Sequence, residues 1–112
     1  MGKDKNSDII ELSGIINRSF SDISNGYLIN KEDVHNLEEL KKYLSAKIKV
    51  FLEEKYNTLI NILYRIDIDD KKIEEIFLSK EKDKIPDIIA DLIIERQLQK
   101  IYFRKIYKEG NL

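Results

Sequence analysis

The apolar residues between Leu37 and Ile66 recur at helical spacing, and no other feature restricts the folding of this chain as tightly. Leu37, Leu40, Leu44, Ile48, Phe51, Leu52, Leu59, Leu63 and Ile66 share one face when the chain advances about 100° per residue. A strand would require alternation with a period of two, which this stretch lacks. Asn30 or Asn36 suits the amino-terminal cap. The spacing predicts one helix over 31–66, and its stretch from 37 to 66 would run about 45 Å at about 1.5 Å per residue. In a chain of 112 residues, a helix of that length either bends or projects and needs a partner.

The flanking segments read the same way. Ile9, Leu12, Ile16, Phe20 and Ile23 predict a helix over 7–24, capped by Asn6 or Ser7 and ended by Asn25-Gly26. Residues 1–6 are polar and read as disordered. "YLIN" (27–30) reads as a connector or as a short strand with no obvious mate. Asp69 or Asp70 can cap a short helix over 70–79 with Ile73, Ile76 and Phe77 on its apolar stripe. "KEKDK" (80–84) is a charged loop, and Pro86 belongs in the first turn of a last helix over 86–108. One proline and two internal glycines, Gly14 and Gly26, leave few breaks. Charged residues make up 37% of the chain, which suits the large solvated surface of helices. The fold class is therefore all-α, a single-domain bundle of about four helices with one long central helix.

Several chemistries are excluded or disfavoured. The chain has no cysteine, so disulfides, thiolate metal sites and cysteine nucleophiles are ruled out. His35 is the only histidine and sits in a polar stretch. "DIDD" (67–70) invites a calcium loop, but Lys72 and Leu78 stand where such a loop needs Gly and Glu. No phosphate loop or serine elbow is present. No metal, no cofactor and no catalytic residue are expected, and the reading is a non-enzyme. The amino terminus carries no apolar run, and Asn6 replaces the Ser or Thr of a myristoylation start. A cytoplasmic protein without membrane attachment is expected, and the glycosylation sequon Asn17-Arg18-Ser19 then has no use.

The last helix poses the sharpest question. Ile85, Ile88, Ile89, Leu92, Phe103, Ile106 and Tyr107 fall within roughly 60° of one line, and Arg96 falls at about 20°, near the centre of that face. A buried guanidinium requires a partner. Residues 67–75 carry a net charge of −3 and residues 95–109 a net charge of +3, so the two blocks can meet. Arg96 then forms a structural ion pair, with Asp67 the first choice of partner and Glu74 the second. Two alternatives stand beside it: an anion site built on Arg96, Arg65 and Gln99, or an arginine that snorkels to water.

A second apolar stripe, Ile94, Leu98, Ile101 and Tyr102, lies at roughly 160–260° on the same wheel. A helix that is apolar on two sides is central in its bundle or covered by another subunit. The stripe is therefore a candidate homodimer interface. A rival use of this helix is nucleic-acid contact through Lys100, Arg104, Lys105, Tyr107 and Lys108, since basic charge holds phosphate and aromatic rings stack on bases. The overall net charge of −1 weighs against a dedicated nucleic-acid binder.

"LYRID" (63–67) followed by "IADLIIERQLQKI" (89–101) resembles a family of small bacterial helical proteins of similar length. The resemblance covers the carboxy-terminal half and implies no particular activity. It draws attention to Tyr64, Arg65, Asp67, Glu95, Arg96 and Gln99. The expected function is a non-catalytic protein–protein interaction or scaffold protein that self-associates, with an unidentified protein partner also open and a nucleic-acid-associated protein as the alternative.

Overall fold

The computed structural model describes residues 2–19 and 36–108, and the side chains of 9–18 and 36–108. Five α-helices account for nearly all of these: α1 (Gly2–Ser19), α2 (Leu37–Glu54), α3 (Tyr56–Arg65), α4 (Asp70–Leu78) and α5 (Ile85–Lys108), with a 3₁₀ turn at Lys82–Lys84 leading into α5. No strand occurs among the described residues. The fold is an all-α bundle, and no described helix is long and apolar enough to cross a membrane.

The single helix expected over 31–66 is two helices. Asn36 is extended (φ −152°, ψ 172°), and its side chain accepts from the Glu39 N–H at 2.9 Å, so α2 starts at Leu37. Lys55 (φ −142°, ψ 54°) then ends α2 and begins α3. Two hydrogen bonds flank the break: the Lys55 N–H donates to Phe51 O at 2.7 Å and its carbonyl accepts from the Leu59 N–H at 3.0 Å. It falls in Glu53–Thr58, a polar stretch in which no side chain is buried, so nothing in the core holds the axis straight. Asn57 and Thr58 are also weak helix formers. The change of direction lets Leu59, Ile62 and Leu63 join the same core as Leu40, Leu44, Ile48 and Phe51. The longest helix is consequently α5, at about 36 Å for its 24 residues.

At the amino terminus, α1 begins at Gly2 rather than at 7, so residues 2–6 are helical where disorder was expected. Phe20, Ile23, the Asn25-Gly26 stop, "YLIN", His35 and residues 31–35 lie outside the described residues.

Two polar ties join α2 to α5. Ser45 donates to Asp87 at 2.5 Å, and Lys41 meets Asp91 at 3.0 Å. The order reverses between the two helices, so they run antiparallel. On its buried side α1 places Ile9, Leu12 and Ile16 in the core, and Glu11 meets Arg104 of α5 at 3.5 Å. Asp69 caps α4 by accepting from the Lys71 N–H at 3.2 Å.

Candidate functional site

The turn after α3 fixes one wall of the site. The Asp67 N–H donates to Tyr64 O and the Ile68 N–H to Leu63 O, both at 3.0 Å. These two bonds form a Schellman closure, in which the residue after the cap takes the left-handed conformation. Asp67 takes it, with φ 71°. Glycine is usual there, and aspartate is among the few other residues that tolerate it. Ile68 tucks into the core beside Leu63, which leaves the Asp67 carboxylate facing α5.

The burial pattern of α5 revises the expected placement of Arg96. Ile85, Pro86, Ile89, Ala90, Ile93, Ile94, Gln97 and Ile101 are the buried residues. Their common face is centred at roughly 100° on the wheel, between the two stripes read from the sequence. Gln97, only 3% exposed, sits near that centre, whereas Arg96 sits at the edge. The sequence reading misplaced the face because it weighted Phe103, Ile106 and Tyr107, which lie beyond the last buried residue of α5, Ile101. The spacing of Ala90, Ile93, Gln97 and Ile101 carried the correct signal.

Arg96 is half-buried. Its Nε lies against the core without a hydrogen-bond partner, while Nη1 donates to Gln99 Oε1 at 3.3 Å. Nη2 stands 3.9 Å from Asp67 Oδ2, and Lys100 Nζ stands 3.7 Å from the same oxygen. Charge-assisted hydrogen bonds are typically about 2.7–2.9 Å, so both ion pairs are loose. The side chain of Arg96 is 34% exposed and that of Asp67 67%. The stem is therefore covered and the charged head is wet, which combines the ion-pair and snorkelling readings. Glu74 is exposed and is not a partner of Arg96, and Arg65 is exposed and does not line the groove beside Arg96.

A groove of about 210 Å³ runs between α5 and the segment that leads into α4. Asp67, Ile68, Asp69 and Lys72 line one wall, and Leu92, Glu95, Arg96 and Gln99 line the other. Of the six residues singled out by the bacterial resemblance, Asp67, Glu95, Arg96 and Gln99 meet here; Tyr64 and Arg65 do not. Ile68, Asp69, Lys72 and Leu92 were missed, since membership of the groove depends on how the Asp67 turn lies against α5. Its charges balance closely, with Arg96 and Lys72 against Asp67, Asp69 and Glu95, and Lys100 at the margin.

The expected interface stripe is largely internal. Ile94 and Ile101 are buried and Leu98 is partly buried against the core, on a helix that α1 also packs against. Only Tyr102 of that set is open to solvent, at 61%. Exposed aromatic surface instead gathers on the outer end of α5, where Phe103 is 58% and Tyr107 74% exposed. Tyr102 and Phe103 meet edge to face at 5.8 Å. Of the basic residues there, Lys100 faces Asp67 and Arg104 faces Glu11, while Lys105 and Lys108 lie roughly 160° and 140° around the helix from Phe103.

Among the described residues no three His, Asp or Glu side chains group to hold a metal ion. No protein-family model matches the chain, no curated protein matches it and no solved structure matches it.

Proposed function

We propose that the protein is a non-catalytic interaction module that self-associates through the solvent-facing side of α5. The observation that carries this reading is the exposure of Phe103 and Tyr107, about 40° apart around the last two turns of that helix, with exposed Tyr102 edge to face against Phe103. Exposed large apolar groups gathered on one surface mark contact sites, and aromatic rings are the side chains enriched at such contacts. The face differs from the one the sequence suggested, because Ile94, Leu98 and Ile101 pack into the chain's own core.

The nucleic-acid reading has less support. Two of its five residues, Lys100 and Arg104, already face carboxylates, and Lys105 and Lys108 lie roughly 160° and 100° around the helix from the Tyr107 ring. A phosphate-binding surface needs its charge and its stacking rings on one side.

Light scattering over a range of concentrations tests the proposal. A mass twice that of the chain at micromolar concentration is expected, and Phe103→Ser should return it to the monomer. A monomer mass at every concentration would overturn it. Retention of the protein on heparin until moderate salt would favour the nucleic-acid alternative.

A further inference from the structure

The outward strip of α5 has a symmetry that the self-association reading does not use. Leu92, Glu95, Arg96, Gln99, Lys100 and Phe103 all lie within roughly 80° of Phe103 around the helix. Reversed about the midpoint between Gln97 and Leu98, the strip falls onto itself. Leu92 exchanges with Phe103, Glu95 with Lys100, and Arg96 with Gln99. Each exchange pairs compatible chemistry: apolar with aromatic, acid with base, and guanidinium with amide oxygen.

Resting on the self-association reading, we infer that two copies pair their α5 helices antiparallel across this strip, with Phe103 of each copy seated in the other's groove beside Leu92 and Ile68. A two-fold interface must be self-complementary, with residue i meeting j and j meeting i. The strip satisfies that requirement residue by residue. Its charge also permits a second copy as occupant. With the groove wall included, Lys72, Arg96 and Lys100 balance Asp67, Asp69 and Glu95, so strip and groove together meet their copies without net repulsion. The basic residues Lys105 and Lys108, which would repel their own copies, lie on the far side.

The groove supplies the receiving surface. Ile68 and Leu92 give it an apolar floor, and the loose ion pairs of Asp67 leave carboxylate and guanidinium available to a second copy. Gln99 already accepts from Arg96 within one chain at 3.3 Å, and across the two-fold axis the same two groups face each other again.

The absence of cysteine makes the test direct. One chain carries Leu92→Cys and another Phe103→Cys, and the two are mixed and oxidised gently. Antiparallel helices about 8–10 Å apart bring facing positions within disulfide reach. The inference expects the mixed disulfide dimer as the main product. Either variant alone, or Leu92→Cys mixed with Lys108→Cys, should give at least tenfold less cross-linked dimer. Circular dichroism checks that each variant is folded. If the unmodified chain is dimeric but Leu92 and Phe103 cross-link no better than Leu92 and Lys108, this pairing is wrong and self-association stands by another surface. If the unmodified chain is monomeric throughout, self-association fails and the pairing fails with it.

Discussion

Arg96 stands at the edge of the core, and its energetics follow from that position. Burial of a paired guanidinium would make the loss of one partner cost about 3–5 kcal/mol. The ion pairs found here are long and wet, and such pairs contribute at most about 1 kcal/mol. Arg96→Ala is therefore expected to destabilise by about 1 kcal/mol, mostly through the lost packing of its stem, and Arg96→Met should recover most of that loss. Urea denaturation at low and high salt checks this; a loss above about 3 kcal/mol would require a buried pair. Asp67 carries a different strain. Its left-handed backbone costs a non-glycine residue roughly 1–2 kcal/mol, more than its two exposed ion pairs return. Asp67→Gly should thus be neutral or stabilising in the same assay, whereas Asp67→Val should destabilise clearly. The meeting of Arg96 with Asp67 was legible from charge blocks and helix order. The degree of burial was not, because a helical wheel has no knowledge of where the core ends along the helix axis.

The helices differ in how much of their form the sequence determines locally. Asn36, Asp69 and Pro86 mark real helix starts, since caps act through bonds within a few residues. The break at Lys55 was not legible: the apolar face on either side keeps its phase, and only the polar interval between Leu52 and Leu59 hinted at it. The second stripe of α5 shows the same limit at a larger distance. Its cover is the chain's own core, to which helices far away in the sequence contribute, and periodicity alone cannot tell a neighbouring helix from a neighbouring subunit. This arrangement has a measurable consequence. Leu12 and Ile94 are buried, so truncation of either to Ala should cost about 2–5 kcal/mol in urea denaturation. Tyr102→Ala should fall within about 0.5 kcal/mol of the unchanged chain when measured as a monomer. A cost at Ile94 no larger than that at Tyr102 would mean that the core does not cover the stripe.

For the whole molecule, association and stability should be coupled. One core joins all five helices, so circular dichroism should show a helix-dominated spectrum and one cooperative melt. If the aromatic end of α5 is an interface, the dimer binds the folded state alone, and the melting temperature must rise with protein concentration. Stabilisation by a ligand specific to the folded state reaches about 2.7 kcal/mol at one hundred times its dissociation constant, enough to shift the melt of a chain this size by several degrees. Phe103→Ser removes an exposed ring from beyond the core, so it should abolish the concentration dependence while leaving the dilute melting temperature unchanged. The near-neutral strip adds a second requirement, because association between balanced charges should weaken little from low to physiological salt. Phosphate binding through Lys105 and Lys108 would instead fade steeply over that range. A melt that is independent of concentration, in a protein that elutes early from heparin as salt rises, would leave the exposed aromatic end of α5 to a different protein partner.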